Sequence, residues 1–271
     1  MTDKITSTAN PRIKNVIRLS KPGERRRQDL IVIEGCREIS MAAESGFELR
    51  EIYVAEELGL GDDARALLAG LPAACETVPV SAGVFERIAY RGGSGGLLAL
   101  AVPRYMSLEE LDLGSNPFLL ALESPEKPGN IGAILRTADA ANLDAVLVCD
   151  PRTDIYNPNV IRASLGCVFT RRVVTCGSAE AVAFLRVRGI GIFPAALTAE
   201  KAHWDADYTG PCAIAMGSEA DGLTDIWLKA VDTPVKIPME GRVDSLNLST
   251  SAAIIVYEAK RQRDAARRGG L

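Results

Sequence analysis

The sequence predicts an α/β protein in two parts, and three observations carry that prediction. Short apolar runs alternate with helix-compatible segments along the chain. The polar stretch "RYMSLEELDLGSNP" interrupts the alternation at 104–117. Beyond it the strand runs become continuously apolar, as in strands covered on both faces of a parallel sheet.

The first part reads strand "LIVIEG", helix "CREISMAAESG", strand "LREIYVAEE", an alanine-rich polar helix, strand "ETVPVS", a short helix and strand "GLLALAVP". The glycine-rich "YRGGSGG" before the last strand reads as a loop, since no helix follows it. The second part runs "FLLALE", a helix from Asn130, "AVLVCD", helix "NPNVIRASLG", "RRVVTC", helix "SAEAVAFLRVRG" and strand "IGIFPAA". Strand "CAIAMG", helix "DGLTDIWLKA", strand "TPVKIP" and a long helix from about Leu246 complete it. The expected organisation is a domain at 1–103, a linker at 104–117 and a domain at 118–271.

Composition narrows the chemistry. No run approaches the 18 apolar residues of a membrane span, and the start carries no charged and then apolar targeting pattern, so a cytoplasmic protein is expected. The six cysteines are scattered without a C-x-x-C pair, and His203 is the only histidine; metal clusters and Ser-His-Asp catalysis lack material, and no metal is expected. Net charge is −4, but residues 1–30 carry eight basic groups against three acidic ones, Arg25, Arg26 and Arg27 among them. Residues 260–268 add five against one. Basic ends fit contact with phosphates, and equally fit a solvated helix face and a frayed terminus.

Ligands of open parallel sheets bind beyond the carboxyl ends of the strands. That directs attention to three loops, at 124–130, 217–222 and 238–247. In the first, "ESPEKPGNIG" lacks the G-x-G-x-x-G fingerprint of dinucleotide folds. On the helix it opens, Ile131, Ile134, Leu135 and Ala138 form one stripe and Arg136 lies about 140° from Ile131 at 100° per residue. Arg136 is either a solvent-exposed arginine or one free to meet a substrate. In "AMGSEADGL", Gly217 would let a ligand approach the backbone, and Glu219 sits where a helix N-terminus favours negative charge. In "IPMEGRVDSLNLSTSAA", Ser245 and Asn247 stand at the mouth of an apolar helix, where they also suit plain capping.

In that order and spacing, "NIGAILRTADA", "GSEADGL" and "IPMEGRVDSLNLSTSAAIIVYE" resemble the three motifs of the SpoU (TrmH) family of RNA ribose 2′-O-methyltransferases, over essentially all of 118–260. "ITSTANPRIKNVIRLS", "IVIEGCREISMA" and "GLLALA" are similar to that family's substrate-binding domain, while "RGGSG" at 91–95 departs from its usual turn. The resemblance implies a smaller α/β substrate-binding domain followed by a parallel-sheet SPOUT domain with a deep trefoil knot, acting as a homodimer. It implies S-adenosyl-L-methionine as cofactor, with Leu197, Met216, Gly217, Ile237, Met239 and Leu246 forming the pocket. Arg136 would activate the ribose hydroxyl and Asn130 would orient Arg136 or the ribose. Glu219, Ser245 and Asn247 would fix the loops and Arg136, and Arg162 would contact RNA. The implied substrate is 23S ribosomal RNA, with an antibiotic-resistance role open. Transfer RNA as substrate and a non-catalytic RNA-binding relative are the alternatives.

Overall fold

The structure is a computed structural model that describes residues 3–90, 95–230 and 232–269. Most of the departing "RGGSG" turn therefore lies outside the described residues. The chain divides into two compact units, Met1–Arg104 with Asp154–Thr170, and Tyr105–Thr153 with Arg171–Leu271.

The first unit opens with α1 (Pro11–Arg18) and α2 (Pro22–Gln28), each carrying proline in its first turn, where the missing N–H costs nothing. The Asn10 side chain accepts from the Arg12 N–H and caps α1. There follow β1 (Ile31–Glu34), α3 (Cys36–Glu44), β2 (Leu49–Val54), α4 (Asp62–Ala69), β3 (Glu76–Pro79), α5 (Ala82–Ile88) and β4 (Leu97–Ala101). The sheet order is β1-β4-β2-β3, antiparallel except for β2 with β3.

The second unit begins with β5 (Phe118–Glu123), α6 (Pro128–Ala141) and β6 (Ala145–Cys149). The chain then supplies α7 (Pro158–Ala163) and α8 (Cys167–Thr170) to the first unit. Apolar packing explains this excursion from the continuous 118–271 segment expected from sequence. Phe169 meets Phe47 edge-on at 4.9 Å, Tyr156 meets it at 6.0 Å, and a Cβ on Gly166 would stand 2.8 Å from the Met41 sulfur. The second unit resumes with β7 (Val173–Cys176), α9 (Ser178–Val187), β8 (Gly191–Pro194), β9 (Lys201–Ala202) and β10 (Cys212–Met216). It ends with α10 (Asp225–Lys229), β11 (Val235–Lys236) and α11 (Leu248–Gly269).

Its main sheet is parallel throughout, in the order β7-β6-β5-β10-β8, and β11 pairs with β9 in a separate two-stranded ladder. The continuous apolar runs behave as expected, since β5, β6 and β10 are buried along their full length. Helix α6 starts at Pro128 rather than Asn130, because proline suits a first helical turn, and it ends at Asn142 in the left-handed region. Helix α11 buries Ala252, Ile255, Val256 and Ala259, a stripe at helical spacing, and packs against α6 and β10.

One buried cation fastens that helix. Arg263 is 5% exposed and donates to the carbonyls of Tyr208 (2.9 Å), Gly210 (2.6 Å) and Asn116, with its guanidinium 5.2 Å from the Phe118 ring centre. Arg263→Met keeps the apolar stem but leaves these carbonyls without their donor. It is expected to lower unfolding free energy in urea by about 3 kcal/mol.

Candidate functional site

A cavity of about 700 Å³ opens at the carboxyl edge of the parallel sheet, within the range of about 300–1,000 Å³ common for small-molecule sites. Its walls are the loops that follow β8, β10 and β11. Leu197, Met216, Gly217, Ile237, Met239 and Leu246 all line it, together with Glu219, Ser245 and Asn247. Two of the three loops singled out by sequence supply most of the wall, and the 124–130 loop contributes Lys127. Ala195, Ala196 and Thr198 also belong to it. Sequence reasoning passed over the 195–198 loop as such, although β8 was recognisable as a strand parallel to its neighbours and so ends at the same edge.

Gly217 lines the cavity and is also required by the chain's own backbone. A Cβ there would sit 1.9 Å from the Gly222 carbonyl carbon and 2.2 Å from the Leu223 nitrogen. The loop turns back on itself through reciprocal Ser218 and Gly222 backbone hydrogen bonds of 3.1 Å, and the Ser218 hydroxyl accepts from the Asp221 N–H at 3.0 Å. Gly222 takes a φ of +71°, which glycine adopts without strain.

The same loop is tied down by Glu123, whose burial sequence reasoning missed because it ends an apolar strand. Its carboxylate is 3% exposed. It accepts from the Thr224 N–H and hydroxyl at 2.7 Å each, and from the Ser178 hydroxyl at 3.0 Å. Three donors offset the desolvation of the charge.

The three motif loops meet at Asn130. Its Nδ2 donates to Glu219 Oε1 at 2.5 Å, while its Oδ1 accepts from Asn247 Nδ2 at 3.1 Å. Asn247 Oδ1 accepts in turn from the backbone N–H of Ser249 at 3.0 Å, which makes Asn247 the cap of α11 as well as a motif partner. Ser245 donates to Asp244 and lies exposed on the cavity wall. Glu219 Oε2 is buried and has no hydrogen-bond partner.

Arg136 is exposed, as the wheel placed it, while Ile131, Ile134, Leu135 and Ala138 are fully buried. It does not line the cavity. At about 1.5 Å per residue it lies about 9 Å along α6 from Asn130. Of the expected RNA contacts, Arg26 and Arg162 are exposed, and Arg27 is exposed while pairing with Glu24 at 2.7 Å. Arg25 is a correction. It is 2% exposed, ion-paired with Asp154 at 2.7 Å, and donates to the carbonyls of Leu19 and Ser20 at 2.9 Å each. Its charge is spent inside the first unit, where a phosphate does not reach it. Among the described residues no cluster of three or more metal-binding side chains occurs. No described helix is long and apolar enough to cross a membrane.

Fold and cavity together define an α/β protein with a cavity of small-molecule size at a parallel sheet edge. Residues 117–257 match the SpoU rRNA Methylase family, and residues 10–99 match the MRM3-like substrate binding domain. The chain belongs to the SpoU rRNA methylase family. It is 28% identical over 252 residues to the 23S rRNA (uridine(2479)-2′-O)-methyltransferase of Streptomyces viridochromogenes, covering 90% of this chain and 87% of that one. A crystal structure described as an RNA 2′-O ribose methyltransferase superposes with a TM-score of 0.86 at 41% identity, covering 96% of this chain and 99% of that one. The SpoU methyltransferase AviRb from Streptomyces viridochromogenes, in complex with AdoMet, gives 0.87 at 26% identity over 94% and 99%.

Gly217→Ala is expected to force the 217–223 turn open. Calorimetry should then show loss of small-molecule binding in the cavity, with a thermal midpoint lowered by several degrees.

Proposed function

We propose that the protein transfers a methyl group from S-adenosyl-L-methionine to a ribose 2′-oxygen of 23S ribosomal RNA. The observation that carries this reading is the convergence of the six expected pocket residues on one cavity whose wall is joined to Asn130. The cofactor fits that wall. Leu197, Met216, Ile237, Met239 and Leu246 offer apolar surface, and the unpartnered Glu219 Oε2 is an acceptor suited to a cationic ligand. When bound, S-adenosyl-L-methionine supplies a methyl group on a positively charged sulfur. The protein's task is to hold the ribose oxygen in line with it, a positioning effect of about 7–11 kcal/mol in favourable cases.

Arg136 is the catalytic group of this reading. A guanidinium holds its proton tightly and is a poor base near neutrality. Arg136 therefore stabilises the developing alkoxide, and an adjacent RNA phosphate takes the proton. Asn130, held by Glu219 and Asn247, orients the ribose; Ser245 and the Asn247 cap fix the third loop. Arg162, Arg26 and Arg27 contact RNA phosphates. We assign the unit of Met1–Arg104 with Asp154–Thr170 to RNA binding and that of Tyr105–Thr153 with Arg171–Leu271 to transfer; the stretch 104–117 expected as a linker packs Leu108 and Leu111 into the core of the second.

Arg136 stands outside its own protomer's cavity, which supports a homodimer built through 118–271 in which each copy brings Arg136 to the other's cofactor. Tyr257, Trp204 and Val243 are exposed apolar side chains of the second unit available to such an interface. A deep trefoil knot formed by the loops around the cavity and a cytoplasmic location complete the proposal.

With radiolabelled cofactor and 23S RNA, Arg136→Ala should reduce transfer at least about a hundredfold, while the cofactor Kd stays as in wild type. Retained activity removes Arg136 from the mechanism. Arg136→Lys keeps the charge but loses the planar fork, and should recover only part of the rate. Mixing Arg136→Ala protein with Gly217→Ala protein, each inactive alone, should restore activity if the site is shared between copies. No restoration, in a mixture shown to exchange subunits, places Arg136 with its own cavity. Replacing Arg26 and Arg27 together by alanine should weaken RNA binding and flatten its salt dependence without changing the cofactor Kd.

A further inference from the structure

Cys149 and Cys176 are the final residues of β6 and β7 and face each other in the parallel register. Their sulfurs are 3.9 Å apart, in hydrogen-bond contact, and both thiols are free. Adjacent strands lie about 4.8 Å apart, inside the Cα separation of about 4.4–6.8 Å that a disulfide bridges. Side-chain rotation covers the remaining approach, and β7 is the last strand of its sheet, held on its outer edge by a single bridge from Met106 to Val174. Cys176 is half-buried and reachable, while Cys149 is buried behind it.

We infer that Cys149 and Cys176 form a reversible dithiol–disulfide site, open to small-molecule disulfides, whose closure weakens the cofactor pocket. The Cys176 thiolate attacks one sulfur of glutathione disulfide, forms a mixed disulfide and expels one glutathione thiolate. Cys149 then loses its proton and attacks the Cys176 sulfur, closing the protein disulfide and expelling the second glutathione. Two protein thiols are oxidised and one glutathione disulfide is reduced to two thiols. The order of attack follows the local environment. The hydrogen bond with Cys149 holds the Cys176 thiol below the ordinary cysteine range, against its partial burial and the charges of Glu180 and Asp150. The same bond, with burial, pushes Cys149 up.

The route to the pocket is short. Ser178, two residues beyond Cys176, donates its N–H to the Asp150 carboxylate at 2.9 Å and its hydroxyl to Glu123. Glu123 holds Thr224 at the end of the 217–223 turn. Drawing Cys176 toward Cys149 displaces Ser178, and Glu123 passes that displacement to the cavity wall.

This inference rests on the cavity taking S-adenosyl-L-methionine, and the test separates the two. The full-length protein is incubated with glutathione disulfide, and its alkylatable thiols are counted by mass spectrometry. It should lose two of its six thiols, yield a peptide linking 149 to 176, and regain both thiols with dithiothreitol. Calorimetry should give a several-fold higher cofactor Kd for the oxidised form, and Cys176→Ser should keep the reduced Kd after the same treatment. Unchanged thiols, mixed disulfides alone, or an unchanged Kd in the closed form overturn the inference. Failure of the reduced wild-type protein to bind the cofactor would instead overturn the proposed function, and the thiol count would still decide whether the pair closes.

Discussion

The structure of the site hangs on the direction of one chain of hydrogen bonds. It starts at the exposed backbone N–H of Ser249 in the first turn of α11, passes through the carboxamides of Asn247 and Asn130, and ends on the Glu219 carboxylate. Every link has only one workable polarity. An ionised carboxylate accepts and does not donate, so Asn130 must present its NH2 to Glu219 and its oxygen to Asn247. The N–H at the helix start donates only, so Asn247 must present its oxygen there and its NH2 to Asn130. Neither amide can flip without setting like against like at both ends. The chain joins the positive end of a helix to a negative side chain through two neutral dipoles, and each dipole is oriented by the charge it lies between.

The remaining supports hold these groups in place. Glu123 pins the end of the 217–223 turn from inside the protein, and Gly217 lets that turn close against its own backbone. Arg263 fastens the later turns of α11 to the carbonyls of three positions in the second unit, while Asn247 at its start bonds to Asn130 of α6. The cavity is therefore built from loops whose ends are anchored on rigid strands and helices, an arrangement suited to a reaction that depends on alignment.

Much of this was legible in sequence, for physical reasons that also explain the failures. A buried parallel strand must be apolar at every position, so β5, β6 and β10 stand out as unbroken runs. The two-residue ladder partners β9 and β11 are too short to carry a periodicity of their own, and β9 was not anticipated. The helical wheel correctly left Arg136 off the core, but a wheel carries no information about cavities, and Arg136 proves to be absent from its own. Charge counting grouped Arg25 with Arg26 and Arg27. Only the fold reveals that Asp154, 129 positions away, turns the first of them into an internal ion pair. Helices α7 and α8 have the look of a continuing second domain because their sequence pattern is ordinary, and their true neighbours, Phe47 and Met41, lie far upstream. The backbone clash that fixes Gly217 is invisible in sequence, since a missing side chain reads the same whether a ligand or the chain itself fills the space.

The strand order carries a consequence for how the molecule is made. Strand β10 lies between β5 and β8, so the middle of the sheet stays open until residues 212–216 are inserted between strands formed from earlier chain. The neighbours of β5 and β10 are nearly a hundred positions apart, and closing such separations is slow compared with forming local helices. Two of the three loops that line the cavity, those after β10 and β11, come later still. A chain emerging in sequence order thus completes its first unit's strands well before it owns a cofactor site, and binding competence arrives as the final event of folding rather than as a scaffold for it.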